Sequence, residues 1–145
     1  GNYAYDQVNK ALQFGIGVQT EIWGLRKTTL EGCPELAAYI GEVNRFKRRY
    51  PHLMMHGLFR DTLGAKCSGN TCFSVLESHG HDRSLVLRNP TDQKIDVEAV
   101  LDECGRHDAL RLWQPFMREK SVKTMPVSVC LEPFGVAVIL ACARH

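Results

Sequence analysis

Gln19, Glu21 and Trp23 stand two residues apart, the spacing that puts side chains on one face of a β-strand. On such a face a carboxylate and an amide hydrogen-bond hydroxyl groups. An indole beside them offers a flat apolar surface for the C–H side of a sugar ring. If they line a barrel, these three are the candidate substrate-binding residues; the alternative is that Gln19 and Glu21 face solvent and Trp23 packs in a core. Phe14, Ile16, Val18, Thr20 and Ile22 alternate with them and form a mostly apolar face. The pattern suits a barrel strand that has helices outside it and a ligand at its C-terminal mouth.

The remaining chemistry-bearing residues read more plainly. His79 and His81 flank Gly80 with no third or fourth ligand near them in sequence, so a polar turn is expected rather than a metal site. His52 and His56 bracket apolar Leu53-Met54-Met55, where packing or a domain contact is the default. Trp113 alternates with Leu112 and reads as half-buried at a strand end, with a carbohydrate platform as the alternative. The six cysteines (Cys33, Cys67, Cys72, Cys104, Cys130 and Cys142) show no metal spacing. Cys67 and Cys72 flank a turn that a hairpin disulfide would fit, whereas Cys130 and Cys142 lie in apolar strands and are expected to be buried free thiols. A mostly reduced set is expected, because a chain of this size does not need staples. There is no glycine-rich phosphate loop, no nucleophile elbow and no Cys/His metal motif. No catalytic residue, metal ligand or cofactor is assigned.

These residues need elements to hold them. Tyr5 to Phe14 reads as a short helix with Gly15 as its stop. The strand over Phe14–Trp23 follows, then a loop, then the longest helix, Pro34–Tyr50. Pro34 suits its first turn, Leu36, Ile40, Val43 and Phe46 make one apolar stripe, and Pro51 ends it. Arg45, Lys47, Arg48 and Arg49 are expected on a solvated face near the C-terminal end, where the helix dipole favours cations.

Beyond Pro51 the period changes from 3.6 to 2. Strands are expected at Cys72–Glu77, Ser84–Arg88, Lys94–Leu101, Ala109–Trp113, Val127–Leu131 and Phe134–Cys142, with turn residues between them. Ile95, Val97, Ala99 and Leu101 alternate with Asp96, Glu98 and Val100, which gives that strand one wet face. The last strand is apolar on both faces and should be central. The fold class is therefore α+β, mainly β: a short N-terminal β/α segment over residues 1–60, then an antiparallel β-sandwich over 61–145.

Composition sets the outer bounds. The 145 residues are 44% hydrophobic and 23% charged, ordinary for a globular protein. A net charge of +2 gives no field that argues for nucleic acid or an anionic membrane, and no apolar run is long enough to span a bilayer. The chain opens with Gly1 rather than Met, so the natural N-terminus is expected to lie upstream. The compartment stays open.

Taken in order, a strand ending in EIWGL, the helix PELAAYIGEVNRFKRRYPHL, HGLFRD, the strands around SLVLRNPTDQKIDVEAVL and the closing LEPFGVAVIL resemble the C-terminal end of retaining glycoside hydrolases related to α-galactosidases. The resemblance covers most of the chain. It implies a terminal β/α unit of a (β/α)8 catalytic barrel, followed by an all-β C-terminal domain. It implies carbohydrate as the partner, met through the parent barrel. The earlier β/α units, where such families carry their nucleophile and acid, have no counterpart in these residues.

Glycoside hydrolysis needs two carboxylates about 5–10 Å apart, and Glu21 is the single carboxylate placed at the expected barrel mouth. This chain alone is expected to be catalytically silent and to support the barrel. The alternative is a carbohydrate-binding or protein-interaction module. A lone barrel strand leaves unpaired edges, and the helix stripe then lacks cover. The chain can fold the segment onto its own sandwich, leave it disordered, or bury it in a homodimer through residues 14–50, and the last is expected.

Overall fold

The computed structural model describes residues 3–17, 30–104 and 108–143. Among the described residues, three α-helices, α1 (Tyr3–Gln13), α2 (Pro34–Arg49) and α3 (Pro51–Met54), with a short 3-10 turn over Leu30–Gly32, precede the strands β1 (Leu58–Phe59), β2 (Ala65–Cys67), β3 (Cys72–Glu77), β4 (Arg83–Arg88), β5 (Ile95–Leu101), β6 (Asp108–Trp113), β7 (Lys120–Val122), β8 (Val127–Leu131) and β9 (Val136–Ala143). The class is α+β, mainly β, with antiparallel sheets. None of the described helices is long and apolar enough to cross a membrane.

The strands form a six-stranded sheet in the order β1-β3-β4-β9-β6-β7 and a three-stranded sheet in the order β2-β5-β8. Leu85 and Leu87 of β4 and Ala137, Ile139 and Ala141 of β9 face Val97, Ala99 and Leu101 of β5 and Val129 and Leu131 of β8 in one core. The alternate residues of the larger sheet, Val86, Val136, Val138 and Leu140, face the other way, into a second core with the helices. Period 2 with both faces covered yields a continuous apolar run, which explains the composition of β9 and its central place. The smaller sheet keeps one face in water, so β5 reads polar at Asp96 and Glu98.

The same alternation exposes Cys130. Val127, Val129 and Leu131 point inward, and the residues between them point out. The expectation of a buried thiol there fails because β8, unlike β9, has a solvent face. Cys142 is half-buried, and the described cysteines are all free thiols.

Helix α1 ends where the sequence indicates. Gly15 takes a φ of 67°, its amide donates to the Leu12 carbonyl at 3.2 Å, and the Ile16 amide donates to the Ala11 carbonyl at 2.9 Å. That pair of bonds is a Schellman stop, which needs a left-handed residue at its centre. Phe14–Gly17 is consequently a helix exit rather than the start of a strand. The rest of the expected strand, residues 18–23, lies outside the described residues.

Helix α2 starts with Pro34 at its first turn and buries Tyr39, Val43 and Phe46. Phe46 stacks on Trp113 of β6, with ring centroids 4.0 Å apart and planes 8° from parallel. With Val8 and Leu12 of α1 and Leu53 and Met54 of α3, these side chains cover the outer face of the larger sheet. The stripe that was expected to need a second copy is thus covered within the chain, which removes that part of the argument for a dimer through residues 14–50, while the strand edges that made the other part lie outside the described residues. Gly57 closes α3, since any Cβ there would meet the Leu53 carbonyl oxygen at 2.3 Å.

The basic end of α2 is less solvated than its charge implies. Lys47 is buried, and its Nζ donates to the Ile16 carbonyl at 2.8 Å, which ties the exit of α1 to α2. Burial holds its pKa below the ordinary lysine value. Arg49 pairs with Glu119 at 3.1 Å, while Arg45 and Arg48 stay exposed.

Candidate functional site

Phe116 and Phe134 both have left-handed backbone, with φ of 60° and 52°. Bulky residues seldom take that conformation, and such strain tends to persist at sites where the surrounding structure enforces it. Both residues border one cleft of about 350 Å³. Phe116 follows the Gln114-Pro115 turn after β6, and Phe134 follows the Glu132-Pro133 turn before β9. The Phe116 amide donates to Glu42 Oε1 at 3.2 Å, and the Phe134 amide donates to the Thr91 carbonyl at 3.0 Å.

Helices α1 and α2 supply the opposite wall. The Tyr5 and Tyr39 rings lie 4.4 Å apart, and Tyr39 lies 6.1 Å from Phe116. The Tyr39 hydroxyl donates to Asn9 Oδ1 at 2.6 Å, and Asn9 Nδ2 donates to the Phe134 carbonyl at 2.8 Å. This relay crosses from α2 through α1 to the loop before β9 and fixes the cleft floor. Burial raises the Tyr39 pKa to about 12, against the Asn9 bond and with a small push from Tyr5, so this phenol stays neutral.

Gln114 and Glu132 give the rim its polar character, and Phe116 and Met117, 63% and 55% exposed, give its apolar part. Among the described lining residues Glu132 is the one carboxylate. Aromatic faces beside an amide and a carboxylate suit binding of a polyhydroxylated ring, whereas hydrolysis of a glycosidic bond needs a second carboxylate. The sequence held a signal for this cleft, namely two turns of the form X-Pro-Phe at strand ends. Their convergence depends on β6 and β9 being neighbours.

The expected substrate-binding residues Gln19, Glu21 and Trp23 lie outside the described residues. Trp113 does not serve as a carbohydrate platform. It is 1% exposed and its face is occupied by Phe46. His52 and His56 are exposed rather than packed. His79 and His81 lie in the turn between β3 and β4, as their sequence suggests. His52, Asp82 and Cys142 bring an imidazole, a carboxylate and a thiol within 4.8 Å of one another, a grouping invisible in the sequence, where they are far apart.

No family model and no curated protein matches this sequence. Solved structures do share its fold. Part of a proposed α-N-acetylgalactosaminidase from Bacillus halodurans superposes with a TM-score of 0.58 at 12% identity, covering 97% of this chain and 30% of that one. Part of the α-amylase from Geobacillus thermoleovorans, solved with acarbose, superposes with a TM-score of 0.64 at 11% identity, covering 98% of this chain and 34% of that one. Both are glycoside hydrolase chains. At these identities the likeness is one of fold, and this chain spans about a third of the length of each.

Proposed function

We propose that this chain is the C-terminal part of a glycoside hydrolase of α-galactosidase type. In this reading residues 1–60 are the terminal β/α unit of a barrel-like catalytic domain and 61–145 an accessory β-sandwich. Its role is structural: it seats and supports the barrel, which holds the catalytic carboxylates and meets the carbohydrate. Gln19, Glu21 and Trp23 would contribute to the sugar site of that barrel. The observation that carries the reading is the extent of the likeness. Helices and sheets together, 97% and 98% of this chain overlay on about a third of two glycoside hydrolases.

Exposed Phe14 and Phe59, whose rings are 5.6 Å apart beside the edge strand β1, offer apolar surface for such a barrel. The test is the reading frame around the chain together with its activity. An open frame that continues upstream through a barrel, with no aryl-glycoside hydrolysis by the isolated chain, is the expected result. Turnover by the isolated chain that is lost in Glu21→Gln would overturn it.

The cleft at Phe116 and Phe134 favours a second reading, a carbohydrate-binding or protein-interaction module without catalysis. Retention of the chain on insoluble glycans, abolished by Phe116→Ala, would select the carbohydrate form of it.

A further inference from the structure

The register of the larger sheet does more than align backbone. Arg83 of β4 pairs with Ala141 of β9, so Asp82, one step before β4, falls opposite Cys142. Leu140 faces the helices, and Cys142 faces the same way, toward α3. Pro51 restarts the helix after the bend at Tyr50 and sets His52 over this point. His52 Nε2 lies 2.9 Å from Asp82 Oδ2, Asp82 Oδ1 accepts the Ala143 amide at 2.8 Å, and the Cys142 thiol hydrogen-bonds the same carboxylate. Three elements distant in sequence thus deliver one nitrogen, one oxygen and one sulfur ligand to a single spot.

From this geometry we infer that His52, Asp82 and Cys142 form a binding site for one zinc-class divalent cation, with a fourth position open to solvent. Ligand atoms around tetrahedral zinc, at roughly 2.0–2.3 Å from the metal, stand about 3.3–3.8 Å from each other. All three pairs here lie within 4.8 Å, so the cluster reaches that geometry through small rotamer shifts. The mixed donor set selects the metal. A thiolate beside an imidazole suits zinc and disfavours magnesium and calcium, which take oxygen ligands. Asp82 keeps its bond to the Ala143 amide while binding through Oδ2, which orients the carboxylate as an outer partner does in metal sites.

A second observation points to the same place. A cavity of about 580 Å³ opens beside the cluster, and its lining includes His52 and Asp82 together with His56 and His79. His52 and Asp82 thus stand at an open space from which a water can take the fourth position. The binding step balances simply. The Cys142 S–H bond breaks, a Zn–S bond forms, and the proton passes to buffer. His52 binds through the Nε2 lone pair in its Nδ1–H tautomer. Neutral His52, the Asp82 carboxylate and the Cys142 thiolate together carry two negative charges, which a divalent ion cancels.

The experiment uses the full chain, reduced and stripped with chelator, and Zn2+ alone as probe. Calorimetry is expected to show one equivalent bound. Co2+ in its place is expected to give a thiolate-to-cobalt charge-transfer band with tetrahedral visible bands. Cys142→Ser should abolish the charge-transfer band. His52→Ala and Asp82→Asn should each weaken binding by more than about a hundredfold, beyond the 10–100-fold that outer partners cost. Zn2+ protection of Cys142 in the unmutated chain, read by alkylation and peptide mass, needs no variant to fold. Binding that persists in Cys142→Ser, or Cys142 alkylation unchanged by Zn2+, would leave a hydrogen-bonded His–Asp–Cys triad only and would overturn the inference.

Discussion

Arg88 on β4 donates through Nη1 to Oδ1 of Asp6 on α1 at 2.6 Å, with the two side chains 10% and 7% exposed. Arg88 Nε also donates to Gln13 Oε1 at 2.8 Å, and Lys10 approaches Asp6 Oδ2 at 3.0 Å. A buried arginine is tolerated because its fork is met by a carboxylate and an amide that lie two turns apart on one helix. The pair fixes α1 on the sheet at a chosen register, which the apolar contacts of Val8 and Leu12 alone would leave less defined.

Breaking this pair should be costly. Asp6→Ala leaves a buried guanidinium without its partner, and a loss of about 3–5 kcal/mol is expected. Replacing both residues, Asp6→Leu with Arg88→Met, should cost less than the single change. Urea unfolding of the variants checks the order, and equal losses would mean that the ion pair itself matters little.

The Phe46–Trp113 stack predicts a second large effect. Phe46→Ala should cost about 3–5 kcal/mol, since it removes a ring from a site that is 1% exposed. The near-ultraviolet circular dichroism of the indole should weaken with it. An unchanged urea midpoint would show that α2 is not held through this contact.

Alkaline pH should reveal Tyr39 and Tyr50. Burial comes first among the causes that raise both to about 12 from an ordinary 10.0, and for Tyr50 the Glu119 carboxylate adds to it. In the fold these phenols hold their protons where the unfolded chain has lost them. The stability they lend is therefore fully present below pH 10 and is lost as pH rises toward 12. Tyr39→Phe and Tyr50→Phe should each flatten that loss. Tyrosinate absorbance titration, with and without urea, measures it.

Cys67 should be a slow nucleophile. Burial raises its pKa to about 12, so at pH 8 the thiolate is scarce, and alkylation is expected to run at least about a hundredfold slower than for a free cysteine peptide. Peptide-resolved iodoacetamide labelling reads the rate. Labelling as fast as in the peptide would show that the β2 end opens readily.

The left-handed Phe116 gives a test that separates backbone from side chain. Phe116→Gly removes a conformational cost of about 1–2 kcal/mol at an exposed ring, so stability should hold or rise while any glycan retention falls. A marked loss of stability would show that the Tyr39 contact outweighs the strain.

The sequence made the local elements legible. Cys72–Glu77 and Val127–Leu131 are strands at those bounds, and Pro34 opens the longest helix, because periodicity and punctuation are local signals. Burial set by partners across the chain was not legible. Lys47 looks solvated until Ile16 is seen to accept its ammonium, and Trp113 looks half-exposed until α2 is laid over it. Cys130 and Cys142 look alike in sequence and differ because one sheet is covered on both faces and the other on one. The aromatic cleft and the His52–Asp82–Cys142 cluster depend on which strands are neighbours, and alternation along a single strand carries no record of that.

Strand β9 sits between β4 and β6 yet comes after every other strand in the chain. Until this segment is made, nothing joins β1-β3-β4 to β6-β7 in the larger sheet. Through that interval β4 and β6 each present an open apolar edge, a template for pairing with another chain. Closure depends on contacts distant in sequence, which places the molecule among the slow folders. A stop codon before Val136 would not merely shorten the protein. It would withhold the piece that joins the two halves and leave them to a chaperone or to aggregation.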